Sequence, residues 1–243
     1  MKLMSDIERR ELKYFIPYKL ISPIREFISP FMELDPYSAE RKNHEYTIRS
    51  IYFDSDQFDF YYEKLDGIKI RKKLRVRTYN EVDSTSCFFF EIKRRFENRI
   101  FKERIKGNID SLEQVCIQQQ MPNESIFDSQ NSKNSLGRFI YNLKLKSLRP
   151  VLLVIYEREA FIGAINPEIR LTFDKDVRIS LFPDFKDNFE DTRPQFVTNE
   201  RCVLELKFNS FMPKWMRTLV GVFNLRAQSI SKYCMGIDCC PNK

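Results

Sequence analysis

The sequence predicts an α+β protein in which an antiparallel β-barrel of about eight strands forms a charged tunnel with flanking helices. Three observations predict this fold. Phenylalanine and tyrosine, which favour strands, occur 22 and 11 times, whereas glycine occurs 6 times. Charged and apolar residues alternate through the stretch from Ile70 to Ile105. The same alternation returns in three segments much later in the chain, as expected for distant strands of one sheet.

Charged residues two positions apart lie on the same face of a β-strand, and the residues between them lie on the other face. One such pair is expected on any solvated sheet face. Repetition in many strands instead indicates a sheet that is curled with its charged face inside. The residues with this spacing are Arg75 and Arg77, Glu91 and Lys93, Lys102 and Arg104, Tyr156 and Arg158, Arg170 with Thr172 and Asp174, and Glu205 and Lys207.

The expected lining is mostly Arg and Lys with a few Glu. Removing an unpaired charge from water costs several kcal/mol per ion, so this lining requires water or a ligand of opposite sign. A carboxylate two residues before a lysine fits either a structural ion pair or a ligand for a divalent cation that bridges phosphate oxygens. We therefore expect a polyanion bound together with a metal ion. The carboxylate–lysine spacing occurs at Glu11 and Lys13, Glu91 and Lys93, and Glu205 and Lys207.

In the first half of the chain, periodicity and turn residues predict the elements in order. Ser22 precedes Pro23, which is favoured at the first helical position, so we expect Ser22 to cap a helix that reaches about Met32. Asp66 and Gly67 predict a turn before the Ile70 stretch, whose strands are joined by a loop at 80–86 and a tighter turn at 96–99. The other expected elements are strands at 8–16 and 46–54, a loop at 35–44 and a short helix at 56–65.

In the second half, Asp110 is expected to cap a helix from about Ser111 to Gln120. The polar residues 122–135 predict a mobile loop, and Pro213 is expected to open a helix before the tail. No linker or internal repeat is visible, so we expect one domain over residues 1–243. The remaining elements are a helix at 136–146, strands at 150–161, 169–174, 177–181 and 202–208, and an acidic loop at 183–199.

Composition excludes several classes of protein. The net charge of +7 and the pI of about 9.0 favour an anionic partner. The sequence has no apolar run of 18 residues and no apolar signal region, so we expect a cytoplasmic protein without a membrane span. His44 is the sole histidine, which argues against histidine-based triads. The six cysteines include no CxxC pair, and Cys239 and Cys240 are adjacent, a poor arrangement for zinc. Walker, Rossmann and GxSxG motifs do not occur.

A set of short motifs, weak singly but ordered along nearly the whole chain, resembles the VTC domain. This is the polyphosphate polymerase domain of the vacuolar transporter chaperone family, within the triphosphate tunnel metalloenzyme superfamily. The resemblance implies an antiparallel barrel tunnel lined by Arg, Lys and Glu, in agreement with the alternation. The motifs are RRELKYFI, IYFDSDQFDFYYEKLDG, LRVRTYN, FEIKRR, FKERI, YEREAF, IRLTFD, LELKF with PKWM, and SKYCMG.

The resemblance implies transfer of the γ-phosphate of ATP to a growing polyphosphate chain, with release of ADP and with Mn²⁺ or Mg²⁺ as cofactor. Glu205 corresponds to the metal ligand. Arg9 stands where the wider superfamily has a first Glu, which favours the polymerase over hydrolytic relatives. Substrate contacts are implied for Arg9, Glu11, Glu91 and Arg104. Catalytic roles are implied for Lys13, Arg75, Arg77, Lys93, Lys102, Arg158, Arg170, Lys207 and Lys232.

Three alternatives stay open from the sequence. The same tunnel with water as acceptor would be a tripolyphosphatase or nucleoside triphosphatase. A silent polyphosphate-binding module would lose the metal, which the intact Glu205 disfavours. A nucleic-acid partner is not expected, because carboxylates lie on the same faces as the basic residues. The chain carries neither the SPX sensor domain nor the membrane spans of the fungal relatives, which favours a stand-alone prokaryotic enzyme.

Overall fold

The computed structural model describes residues 9–97, 99–122, 129–185, 189 and 195–239, with residues 9 and 99 described by their backbone alone. Within these residues it has ten β-strands and seven α-helices, and a short 3₁₀ helix at Tyr18–Leu20. The strands are β1 (Arg9–Pro17), β2 (Met32–Leu34), β3 (Tyr46–Asp54), β4 (Ile70–Tyr79), β5 (Phe88–Phe96), β6 (Arg99–Gly107), β7 (Arg149–Gly163), β8 (Arg170–Leu181), β9 (Gln195–Phe196) and β10 (Arg201–Asn209). The helices are α1 (Ile21–Ile28), α2 (Pro36–Ala39), α3 (Asp59–Leu65), α4 (Ile109–Cys116), α5 (Gln130–Leu145), α6 (Lys214–Val222) and α7 (Lys232–Asp238).

The strands hydrogen-bond in the order β1-β10-β8-β7-β3-β4-β5-β6, with β2 beside β7 and β9 beside β8. Pairing is antiparallel between β1 and β10, β10 and β8, β2 and β7, β3 and β4, β4 and β5, β5 and β6, and β8 and β9. The α+β class and the antiparallel sheet are therefore confirmed. The order has β1 and β6 at its two ends, and the pairing described for the chain does not close the sheet. The closed barrel stays a prediction.

Contacts group the chain into two compact units. The single domain over residues 1–243 stays a prediction. The first unit contains residues 9–46, 156–177 and 198–231. Its strand register puts Lys13 opposite Glu205 and Glu205 opposite Thr172, so the charged face continues across β1, β10 and β8. The alternate residues, such as Tyr14 and Leu204, are buried in a core with apolar residues of α1 and α6.

The second unit contains the described parts of 47–155, 178–197 and 232–239. Here β3, β4, β5 and β6 are neighbours, and Glu91 lies opposite both Arg75 and Arg104. The other face of these strands is apolar. Phe90 packs edge-to-face against Phe139 of α5, and Leu74 is buried in the same core. The predicted alternation of charged and apolar faces is thus confirmed in each unit.

The prediction for the first helix is wrong at both ends. Ser22 lies inside α1 and does not cap it, because the helix begins at Ile21 after Leu20, which makes no side-chain cap. The helix ends at Ile28 rather than near Met32, since Pro30 has no backbone N–H with which to continue the helical hydrogen bonds. Met32 instead begins the short strand β2.

The predicted cap of the fourth helix is also wrong. Asn108, not Asp110, caps α4: its side chain accepts the N–H of Ser111, and Ser111 Oγ accepts the N–H of Asn108. This reciprocal pair satisfies two backbone N–H groups at the start of the helix. Asp110 lies inside the helix, past the capping position. The helix ends at Cys116 instead of Gln120.

Ser129 caps α5, which begins at Gln130 rather than Leu136 and takes up part of the predicted loop at 122–135. Residues 123–128 of that loop lie outside the described residues. The two strands expected within 169–181 form the single strand β8, in which Asp176 has a φ of 49°. Residues 186–188 and 190–194 of the acidic loop at 183–199 also lie outside the described residues. The predicted loop at 35–44 contains the short helix α2, which Asp35 caps. The helix expected at 56–65 begins at Asp59. The tail forms α7.

None of the described helices is long and apolar enough to cross a bilayer.

Replacing Phe139 by Ala is expected to lower the free energy of unfolding by about 3–5 kcal/mol, because it leaves a cavity beside Phe53 and Phe90, which both contact its ring edge-to-face. Urea unfolding followed by circular dichroism measures the change. Leu145→Ala on the same helix is the matched control, since Leu145 is exposed and should cost under about 1 kcal/mol. Equal losses for the two variants would contradict the assignment of the core face of α5.

Candidate functional site

The first charged group, here called the Glu91 cluster, lies on the face of β4, β5 and β6 opposite the apolar core. Strand register brings its members onto one face: Arg75 is opposite Glu91, Glu91 is opposite Arg104, and Lys93 lies between Lys73 and Lys102. Six cations thus accompany one carboxylate, and all except Lys73 were predicted site residues. The Glu91 cluster consists of Glu91 with Lys73, Arg75, Arg77, Lys93, Lys102 and Arg104.

Glu91 is 1% exposed and touches three of these cations. Arg75 Nε donates to Glu91 Oε2 over 2.6 Å, while Lys102 Nζ and Arg104 Nε lie 2.6 and 3.3 Å from Oε1. Burial alone would raise the pKa of Glu91, but Arg75, Arg77 and Lys102 hold that pKa well below its usual range. Glu91 therefore stays ionised and fixes the positions of the cations.

The lysines of the cluster are a source of electrostatic strain. Lys73, Lys93 and Lys102 are directly opposite one another on three adjacent strands, and like charges in that arrangement destabilise a sheet. Burial lowers the pKa of Lys102 to about 8, and Arg75 and Arg77 add to the decrease against the opposing effect of Glu91. A polyanion bound to this face would relieve the repulsion.

The sequence reasoning missed Tyr52 and Asp54 on the adjacent strand β3. The hydroxyl of Tyr52 accepts a hydrogen bond from Arg75 over 3.0 Å. Burial opposes ionisation of Tyr52, but Arg75, Arg77 and Lys73 lower its pKa to about 8. A signal was present, because Ser50, Tyr52 and Asp54 show the same spacing of two that identified the charged faces.

Lys232, predicted as a catalytic residue of the tail, begins α7 and is largely buried. Its neighbour Tyr233 stacks on Tyr52 and donates a hydrogen bond to the buried carboxylate of Asp54. The ammonium of Lys73 lies 5.1 Å from the centre of the Tyr233 ring. The start of α7 is therefore anchored to the residues that border the Glu91 cluster.

The second charged group, here called the Glu205 cluster, belongs to the first unit. Lys13 Nζ lies 2.9 Å from Glu11 and 3.1 Å from Glu205, and Lys207 Nζ lies 2.9 Å from Glu205 and 3.8 Å from Glu11. Two carboxylates therefore share two ammonium groups. Burial opposes the charge of Lys13, but Glu205 and Glu11 raise its pKa above the usual value, so Lys13 stays protonated. The Glu205 cluster consists of Glu11, Lys13, Arg158, Asp174, Glu205 and Lys207.

Arg158 joins this cluster through a two-pronged ion pair with Asp174. Its Nε and Nη2 donate to the two carboxylate oxygens over 2.6 and 2.8 Å, and Nη2 also lies 3.5 Å from Glu205. Asp174 is fully buried. The predicted residue Arg170 lies opposite Lys207 in the register but is exposed. The side chain of the predicted residue Arg9 lies outside the described residues.

The residues of the Glu205 cluster are suitable for a divalent cation that is also coordinated by the phosphates of a ligand. Within the residues described, no group of three or more Asp, Glu, His or Cys side chains could hold a metal alone. Glu11 and Glu205 are nevertheless two carboxylates brought together, with Lys13 and Lys207 supplying the positive charge beside them. Mg²⁺ is commonly held by one or two carboxylates with substrate phosphates supplying other ligands. The donor set therefore suits a metal bound jointly by protein and substrate.

Known proteins resemble this chain in sequence and fold. It is 24% identical over 204 residues to vacuolar transporter chaperone complex subunit 4 of Trypanosoma brucei brucei, which covers 71% of this chain and 26% of that protein. It is 20% identical over 273 residues to the subunit of the same name from Schizosaccharomyces pombe, which covers 95% of this chain and 37% of that protein. The chain thus matches only about a quarter to two-fifths of these relatives.

Among solved structures, a putative adenylyl cyclase from Hippeastrum, described as having a dominant triphosphatase activity, aligns with a TM-score of 0.51 at 11% identity and covers 94% of both chains. A putative adenylate cyclase from Bacillus halodurans aligns with a TM-score of 0.49 at 11% identity, covering 93% of this chain and 96% of the other. The Hippeastrum likeness supports the fold alone. The VTC domain family matches residues 8–240. This chain belongs to the VTC domain family.

Proposed function

We propose that this chain is an ATP-dependent polyphosphate polymerase that works with Mn²⁺ or Mg²⁺. It would join the terminal phosphate oxygen of a polyphosphate chain to the γ-phosphorus of ATP, break the bond between the β and γ phosphates, and release ADP. The observation that carries the proposal is the Glu91 cluster, in which six cations and a single buried carboxylate occupy one sheet face of a VTC domain. Such an excess of fixed positive charge complements a triphosphate.

Within the Glu91 cluster, the guanidinium groups of Arg75 and Arg77 would hold phosphate oxygens, and the lysines would neutralise the charge that moves during transfer. Glu91 orients these groups, since it already binds Arg75, Lys102 and Arg104. The rate enhancement would come from positioning and charge neutralisation rather than from a covalent intermediate.

Within the Glu205 cluster, Glu205 and Glu11 would hold the divalent cation while Lys13 and Lys207 turn from these carboxylates to phosphate oxygens. The metal ion, when bound, supplies charge neutralisation at the transferring phosphate and orients the triphosphate. The acceptor is a phosphate oxygen that is already ionised, so the reaction needs no strong general base. The exposed loop position of His44 is consistent with this chemistry.

The proposal is tested by incubating the purified chain with ATP, Mn²⁺ and a short polyphosphate primer. We expect a polyphosphate ladder on a stained gel, with ADP formed in step with chain growth and little free phosphate. Free phosphate without a ladder would identify the chain as a triphosphatase and overturn the polymerase. Omission of Mn²⁺ and replacement of ATP by ADP are the controls.

Changing Glu205 to Gln should lower metal-dependent turnover about 100-fold, because it removes a charged ligand worth several kcal/mol at the transition state. Metal-free binding of tripolyphosphate should stay equal or become tighter, since one negative charge is lost. Steady-state ADP release and calorimetric titration measure the two effects. A loss of metal-free binding would contradict the assignment of Glu205 to the metal.

Changing Arg75 to Ala should weaken metal-free binding of tripolyphosphate about tenfold or more, because it removes a charged hydrogen-bond donor. Arg94→Ala is the matched control. This variant also removes one positive charge, but Arg94 lies on β5 and pairs with Glu103 on the face of the sheet opposite the Glu91 cluster. Equal weakening in the two variants would mean that total charge, rather than the Glu91 cluster, holds the anion.

Binding of tripolyphosphate should weaken as the pH rises above about 8. The bound anion favours protonated Lys102 and raises its pKa above the value of about 8 in the free protein, so affinity is full below pH 8 and falls by up to about tenfold per pH unit above it. Tyr52, with a pKa of about 8, acts in the same direction because its ionisation adds negative charge.

Calorimetric titrations between pH 6.5 and 9.5 check this dependence. Lys102→Arg keeps the positive charge at every pH and should reduce the loss of affinity above pH 8. The double variant with Tyr52→Phe should remove most of that loss. An unchanged slope in the double variant would show that other groups control the pH dependence.

A further inference from the structure

Thr172 has a buried hydroxyl group without a hydrogen-bond partner among the described residues. It lies on β8 and is 5% exposed, and its hydroxyl oxygen has no hydrogen-bond partner in the described part of the chain. One other buried side-chain atom there shares this property, Glu91 Oε1, and that oxygen has an ion-pair contact with Lys102. A buried polar atom without a partner is unfavourable and calls for a ligand, a water or an ion as its explanation.

The position of Thr172 is specific. Strand register puts it directly opposite Glu205, so the two side chains project from the same face at neighbouring positions. The charged groups around it already have partners, because Glu205 contacts Lys13 and Lys207, and Asp174 binds the guanidinium of Arg158. Among the described residues of the Glu205 cluster face, the neutral hydroxyl is thus the one buried side-chain oxygen without a hydrogen-bond partner.

We propose that the Thr172 hydroxyl is a further protein ligand, beside Glu205 and Glu11, for the divalent cation that accompanies the triphosphate. The inference rests on the proposed function, which assigns the metal to Glu205. A hydroxyl oxygen is a suitable donor for a hard cation, as the Ser or Thr of phosphate-binding loops illustrates. It also adds no negative charge that would repel the phosphates.

A purely structural role makes a different prediction. A β-branched residue in a strand is favoured for packing, and Val fills the same space as Thr. If Thr172 serves packing alone, Thr172→Val should change neither stability nor ligand binding. If the hydroxyl is a metal ligand, the same substitution should preserve or increase the melting temperature, because it removes an unpartnered polar atom, and should weaken only the binding that depends on metal.

The experiment measures the affinity of the full chain for tripolyphosphate with and without Mn²⁺, by calorimetry, together with the melting temperature of the free protein. The ratio of the two affinities is the gain due to metal. We expect Thr172→Val to reduce this gain about tenfold with metal-free affinity and melting temperature at least equal to those of the parent. Thr172→Ser keeps the hydroxyl and should retain most of the gain.

Glu205→Gln is the reference variant and separates this inference from the proposed function. If Glu205→Gln abolishes the gain and Thr172→Val leaves it intact, the inference is wrong and the metal role of Glu205 stands. If neither variant affects the gain, the metal assignment itself fails. A clear fall in the melting temperature of Thr172→Val would mean that the hydroxyl already has a partner in the free protein, which also overturns the inference.

Discussion

Side chains alternate between the two faces of a β-strand, and this period of two constrains the charged residues of both units. Burial of Leu74, Phe90 and Leu204 fixes which face is the core, and the charged neighbours must then project from the other face. The apolar core supplies the stability that lets a sheet carry opposed like charges. A register slip of one residue would exchange the two faces, so core packing and the arrangement of cations are specified together.

The two clusters use the same residue types for different chemistry. The Glu91 cluster has one carboxylate among six cations, which complements phosphate oxygens, whereas the Glu205 cluster has three carboxylates and three cations. In the first, the carboxylate serves to hold cations in place. In the second, Glu205 and Asp174 are buried in ion pairs, so a divalent ion bound there, as proposed, would have to displace the lysines from Glu205. This division follows from which residue lies opposite which in the strand register.

Local alternation was enough to predict most of the strands and the face on which the charged residues lie, because both depend on a period that is visible in the sequence. Helix ends were predicted less well. Ser22 and Asp110 were plausible caps, but Pro30 and the reciprocal pair of Asn108 and Ser111 decided the boundaries. Tyr52 was missed because a tyrosine in a strand usually indicates packing. The contact of Tyr52 with Arg75 depends on strand pairing, which no local pattern reveals.

The row of Lys73, Lys93 and Lys102 has a consequence for the resting protein. Three ammonium groups on adjacent strands attract small anions from a buffer, so counter-ions would collect at the face of the Glu91 cluster before any phosphate ligand binds. Binding of a phosphate ligand would then exchange one set of anions for another. Sulfate or orthophosphate in a preparation would compete with such a ligand, and the apparent affinity for the ligand would depend on the buffer as well as on the protein.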